Sequence, residues 1–428
     1  MNFRGKILIA LISVVIAGYA VVGGLFSKAQ QPINDAGAQI RIFESVLQHI
    51  QNDYVDPPNL EKVRAGALRG LANGLDPYSS YLTAEQVQDY QAKKASNKFG
   101  IGAEFSQVSA YLYIISTVKG SPAEKAGLKA GDVIEYIGEK ATRDISLYDA
   151  KQLILGDAGT KIDLRILRTG AKPQTLSVTR GTFNTPTVEI EIKNGNIGLV
   201  KINSLAKGEA TDIRNRVEEL SKKGVQKIIL DLRGVAAGDL NDAVEVANLF
   251  IKDGTLAQVI GHDEIVAKTF IADPKKHVFD GEVAALIDLG TAGAGEVVAS
   301  AIADRKRGEV IGERSFGAGT EQELFTLKNG DGYLLTTAKW ASANGTPFLG
   351  EKRSESGVKP TIEVKRPETP EPIEVEDLVG NQDELEDQPE EQPETKTTTP
   401  KSQEDIQLKK ALEVLQGNAK AKTAGSGK

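Results

Sequence analysis

The stretch Gly120-Ser121-Pro122-Ala123-Glu124-Lys125-Ala126-Gly127-Leu128-Lys129-Ala130-Gly131-Asp132-Val133-Ile134 decides how the middle of this 428-residue chain is read. It follows one β-branched strand (111–118) and leads into another (133–137). Further strands at 161–167 and 175–179 are separated by Gly turns, with one helix near 146–155 embedded among them. Upstream, Phe99-Gly100-Ile101-Gly102 precedes the first strands. Glycines at 100 and 102 let successive backbone N–H groups face one point, a nest that captures a terminal carboxylate. The adjoining strand and the 146–155 helix then make a groove in which a peptide C-terminus adds as an extra strand.

Working outward, residues 36–95 read as helical, with Ile42, Phe43, Val46, Leu47 and Ile50 at helical spacing and a turn at Asp56-Pro57-Pro58. Thr83-Ala84-Glu85-Gln86 fits a capping box for a later helix. Beyond residue 184 strands and helices alternate: strand 197–202, helix 209–222, strand 227–232, helix 239–251, strand 284–289, helix 296–304, then strands near 310 and 333–339. That alternation predicts a largely parallel sheet with helical cover.

The whole chain reads as an α/β multidomain protein. The expected parts are a signal peptide or membrane anchor (1–29), a helical region (36–95), a β-rich domain (96–183), an α/β core (184–365), a disordered acidic, Pro-rich linker (366–402) and a C-terminal helix (403–420). The first of these rests on Arg4 and Lys6 before an uninterrupted apolar run over 7–26, which places the rest outside the cytoplasm.

Composition narrows the chemistry. The chain has no Cys, which excludes a disulfide scaffold, a thiolate metal site and a Cys nucleophile. Three widely spaced His (His49, His262, His277) make no metal site, and no cofactor is expected. The net charge of −7 is uneven. Twelve acids without a Lys or Arg in 367–394, and a net +4 in 395–428, leave residues 1–366 at +1. The acidity belongs to the tail, and no nucleic-acid partner is expected.

Residues 98–182 resemble the PDZ domain of bacterial export-compartment proteases, through the two strings quoted at the outset. Leu75-Asp76-Pro77-Tyr78-Ser79-Ser80-Tyr81-Leu82, Asp231-Leu232-Arg233-Gly234, Gly312-Glu313-Arg314-Ser315-Phe316-Gly317 and Gly357-Val358-Lys359-Pro360 occur in order. Together these resemble the tail-specific, or C-terminal processing, serine peptidases over about residues 40–365. The resemblance implies a crotonase-like core, a Ser–Lys dyad that cuts exported proteins, and a homo-oligomer or a hetero-oligomer with an envelope protein.

The chemistry of that family is missing. A Ser–Lys dyad needs a hydroxyl beside an amine kept neutral by desolvation, and N–H donors for the oxyanion. In the family the nucleophile stands at the middle Ser of a Ser-Ala-Ser-Ala-Ser pattern, where this chain has Gly290-Thr291-Ala292-Gly293-Ala294-Gly295-Glu296, so the position is Gly293. The family's Phe-Gly-Lys-Gly reads Phe316-Gly317-Ala318-Gly319, putting Ala318 in place of the Lys, while Gln322 keeps its place. The oxyanion loop, Asn-Pro-Gly-Gly in the family, is Val235-Ala236-Ala237-Gly238. The expectation is a pseudoprotease of the bacterial cell envelope that binds protein C-termini through Phe99, Gly100, Ile101 and Gly102. The alternative is an active peptidase with a relocated nucleophile, Thr291 or Ser315, and a base from Lys339 or Lys306.

Overall fold

The computed structural model describes residues 36–93, 97–108, 110–184, 187–366 and 404–425. The apolar run 7–26 and the acidic stretch 367–402, with the leader and linker expected there, lie outside these residues. Among the described residues no helix is long and apolar enough to cross a membrane.

The described residues divide into two compact units, with the boundary between Ala67 and Leu68. In the first, helix Ala36–Asp53 has no buried residue, and Ile40, Phe43 and Val46 are exposed along it. In the second, the expected capping box is present. Thr83 Oγ1 accepts from Gln86 N, and Gln86 Oε1 accepts from Thr83 N at 2.9 Å, starting helix Ala84–Gln91.

The main sheet runs in the order Ile362–Glu363, Gly308–Gly312, Glu282–Ile287, Lys227–Asp231, Ile197–Ile202 and Val188–Lys193; only the last strand is antiparallel. Its central strands are buried along their length, as parallel strands covered on both faces must be. Alternation assigns the faces. Ile228 and Leu230 pack against helices Ala210–Lys222, Leu240–Phe250 and Ala294–Asp304, whereas Ile229, Ala284, Leu286 and Ile311 face the other way. Onto that second face Ala411 and Leu415 of helix Ile406–Gly425 are laid down.

The terminal helix docks on the body, over an apolar face of the sheet that Ile362 and Val364 also line. The attachment is polar as well. Arg233 forks onto Asp405 at 2.9 and 2.8 Å and onto Asp231 at 2.8 and 2.7 Å. Lys227 Nζ donates to Leu415 O. Arg233→Ala leaves two carboxylates without their shared cation, and loss of a partner at such a site costs on the order of 3 kcal/mol. The expected result is faster proteolysis within 404–425 and a lower urea midpoint; wild-type values for both would show the fork to be dispensable.

A second, antiparallel sheet joins Ser80–Leu82, Gly332–Ala341, Thr255–Ile260 and Val266–Ile271, with Thr320–Thr326 also on Gly332–Ala341. The strand expected at 333–339 therefore belongs here and not to the parallel set. Two of these strands carry no apolar alternation to read. Val266–Ile271 is almost wholly exposed and Thr320–Thr326 is mostly polar.

Residues 103–179 form a third, antiparallel sheet in the order Ala103–Val108, Tyr111–Thr117, Val133–Ile137, Lys161–Leu167 and Gln174–Thr179. Helix Leu147–Ile154 packs on it through Leu147, Ala150 and Ile154. One strand serves two cores. Leu112 and Ile114 enter this sheet's own core, while Tyr113 and Ile115 join Leu289, Ala292, Phe316 and Ala318 of the α/β part.

Candidate peptide groove and degenerate catalytic centre

Among the described residues Ala103–Val108 pairs with Tyr111–Thr117 on one side only, and its other edge lies beside helix Leu147–Ile154. The loop before it is pinned by its carbonyls. Ile101 O accepts from Ala123 N at 2.8 Å, Gly102 O from Val118 N at 2.9 Å and Gly100 O from Gly181 N at 3.2 Å. Phe99 exchanges two backbone bonds with Gly156. The N–H groups of Gly100, Ile101 and Gly102 donate to nothing among the described residues, which suits a nest awaiting an anion. Beside the groove, burial holds the Glu104 carboxyl above the usual carboxylate range, with the charge of Lys151 working against the shift.

The two glycines of the loop are not equivalent. Gly102 has φ +73°, and a Cβ there would stand 2.4 Å from Ser121 Cβ and 2.7 Å from the Phe183 ring. At Gly100 a Cβ would meet only Leu155 Cδ2, at 3.6 Å. Gly102→Ala should therefore cost about 2 kcal/mol or more in stability, and Gly100→Ala much less. Equal thermal unfolding of the two variants would contradict that ranking.

In the α/β part, Gly293 opens helix Ala294–Asp304 with φ +50°. Its environment is organised by Glu296, which is fully buried. That carboxylate accepts from Gly293 N (2.8 Å) and Ala318 N (2.9 Å) on Oε2, and from Ser315 Oγ (2.5 Å) and Gly317 N (2.6 Å) on Oε1. The nucleophile position and the lysine position are thus clamped to one oxygen atom. Burial raises the Glu296 pKa to about 7, and the four donors only partly offset it. The sequence announces only one of these contacts, the cap on Gly293 three residues away; Ser315, Gly317 and Ala318 lie 19 to 22 residues on, where no local pattern links them to Glu296.

Both alternative nucleophiles are committed elsewhere. Thr291 Oγ1 donates to Leu232 O at 2.9 Å and accepts from Asp288 N at 3.1 Å. Ser315 Oγ donates to Glu296 and accepts from Val358 N at 2.6 Å. Each hydroxyl is fully buried. Lys339 Nζ donates to Leu349 O at 3.2 Å, and Gln322 Nε2 to Thr320 Oγ1 at 2.6 Å.

In the loop 235–238, Val235 O accepts from Ala292 N at 2.9 Å, and a Cβ on Gly293 would lie 3.5 Å from Ala236 O. Gly238 is packed so closely on Leu205 and Ala294 that a Cβ would stand 2.8 and 2.5 Å from theirs. The strand Tyr111–Thr117 packs beside this centre: Tyr113 stacks on Phe316 at 5.5 Å, and the Arg353 guanidinium sits 4.6 Å from that same ring.

The fold and these landmarks define a class, the PDZ-containing C-terminal processing peptidases. Peptidase family S41 matches residues 196–364, and the PDZ domain matches residues 113–168. Carboxy-terminal processing protease CtpA of Bacillus subtilis is 31% identical over 364 residues, covering 84% of this chain and 77% of that protein. A probable CtpA-like serine protease of Staphylococcus haemolyticus is 30% identical over 369 residues, 85% of this chain and 73% of that one. Among solved structures, the photosystem II D1 C-terminal processing protease superposes with a TM-score of 0.64 at 25% identity, covering 76% of this chain and 86% of that one. The chain belongs to the C-terminal processing peptidase family.

Proposed function

We propose that this chain is a non-cleaving member of its family, an exported pseudoprotease that holds protein C-termini in its PDZ groove. It acts as a scaffold or regulator in the bacterial cell envelope, anchored or exported by the segment 1–29 and working in a homo-oligomer or with an envelope protein. One observation carries the reading. The dyad positions are Gly293 and Ala318, which have no heteroatom to react, and the neighbouring hydroxyls of Thr291 and Ser315 are consumed by structural hydrogen bonds. Removing one member of a comparable triad costs roughly 10⁶-fold in turnover.

The test uses the chain from residue 30 onward. An unfolded protein substrate should stay intact over long incubation, while a peptide with a free C-terminal carboxylate binds saturably and its amidated form does not. Cleavage that disappears in Thr291→Ala or Ser315→Ala would overturn the reading in favour of a relocated nucleophile.

A further inference from the structure

A second cleft lies at the far end of the peptide groove. It has a volume of about 240 Å³ and is bounded by Leu75, Pro77, Gln107, Arg143 and Ile145. Its place follows from direction. A carboxylate held before the strand Ala103–Val108 forces the rest of the peptide to run antiparallel along that strand, towards Gln107. From Gly102 to Gln107 is about 17 Å at ~3.4 Å per residue, so the cleft meets a side chain about five residues upstream of the C-terminus.

The cleft is built rather than incidental. Asp76 fastens the wall that carries Leu75 and Pro77, accepting from Tyr78 N (2.7 Å), Ser79 N (2.8 Å), Ser79 Oγ (2.8 Å) and Thr336 Oγ1 (3.0 Å). Gln107 Nε2 donates to Ile145 O at 2.8 Å, tying the strand's end to the segment before the groove helix. Leu75 is 65% exposed, an apolar side chain left facing water at the rim. Arg143 is 60% exposed at the side chain, and its contact with Asp144 is a loose 3.9 Å. The apolar part of the lining at Leu75, Pro77 and Ile145, set among the polar Asn73, Asp76 and Gln107 with a loosely held guanidinium at the edge, favours an aromatic ring, which buries apolar area and offers the cation its face.

We propose that this cleft is a second specificity pocket, taking an aromatic side chain about five residues upstream of the bound C-terminus. It rests on the reading of the PDZ groove as a binder of peptide C-termini. A bound protein is then read at two points, by its terminal carboxylate and by an upstream ring, which selects among tails of similar ending.

Fluorescence polarisation on the chain from residue 30 tests it. The probes are labelled peptides with free C-termini: one carrying Trp five residues upstream, its Ala counterpart, and a four-residue truncation. Because a residue's offset depends on the bulge between Glu104 and Phe105, Trp is also scanned from four to seven residues upstream. The Trp peptide should bind roughly tenfold tighter than the other two at one of these positions. Leu75→Asp, a rim substitution, should erase that gain and leave the truncated peptide's affinity unchanged. Equal affinity for Trp and Ala at all scanned positions overturns the pocket while leaving the groove intact. So does a Trp gain that survives Leu75→Asp. Failure of every peptide to bind, or equal binding of amidated and free forms, overturns the groove reading and the pocket with it.

Discussion

Rebuilding the dyad, Gly293→Ser with Ala318→Lys, should produce a slow peptidase. The scaffold for it is still in place. Gly293 N and Ala318 N donate to the same atom, Glu296 Oε2, so the two positions keep a fixed relation. A Cβ at 293 would make ordinary contacts, 3.5 Å to Ala236 O and 3.7 Å to Trp340 Cζ3. The positive φ there costs a side chain on the order of 1 kcal/mol, strain typical of reactive turns. Lys at 318 must enter the cluster of Tyr113, Phe316 and Leu289, an apolar setting that lowers an amine's pKa as a general base requires. The weak point is the loop Val235-Ala236-Ala237-Gly238, and a lost oxyanion donor costs roughly 10²–10³-fold. Of the roughly 10⁶-fold that a complete site supplies, about 10³-fold over the wild-type background should return. Neither single substitution should show any gain. A folded double variant that neither cuts an unfolded substrate nor labels with a serine-reactive phosphonate would show that the loop, and not the dyad, is the decisive loss.

What could be read from the sequence was what is local. The capping box at Thr83 and Gln86, the helix after Gly293 and the buried runs of the parallel strands are each encoded within a few residues, and each is present. The residues at positions 293 and 318 were legible for the same reason, since Gly293 and Ala318 sit inside short motifs. What escaped depends on contacts between distant segments. Thr320–Thr326 and Val266–Ile271 are strands because Gly332–Ala341 and Thr255–Ile260 offer them a ladder, although their own side chains stay largely in water. Tyr113 and Ile115 look like ordinary strand residues. Their closure over Phe316 and Ala318 appears only once the PDZ sheet is set on the α/β part. Glu296 is the sharpest case: the last residue of the run that begins at Gly290, it ties that run to Ser315, Gly317 and Ala318.

Wild-type stability should fall as pH rises from about 5 to above 7, and Glu296 should be the main cause. Its carboxyl is fully buried and titrates at about 7, because burial outweighs four donated hydrogen bonds. In the unfolded chain the same group titrates near 4.3. Between those values the folded state holds the proton more firmly, so folding is favoured at low pH and the advantage drains away as pH climbs through the folded pKa. The span corresponds to on the order of 3 kcal/mol. The burial-raised carboxyl of Glu104 acts in the same direction, so the wild-type slope alone does not separate the two. Glu296→Gln does. The amide cannot titrate, and it turns an NH₂ towards donors that need an acceptor. The variant should lose about 2 kcal/mol or more at pH 7.5 and show a clearly flatter dependence from pH 5 to 7.5. Urea unfolding of both proteins across that window gives the comparison. A wild type that gains stability with rising pH, or a variant that keeps the wild-type slope, would mean that the clamp is charged throughout and that its four donors outweigh its burial.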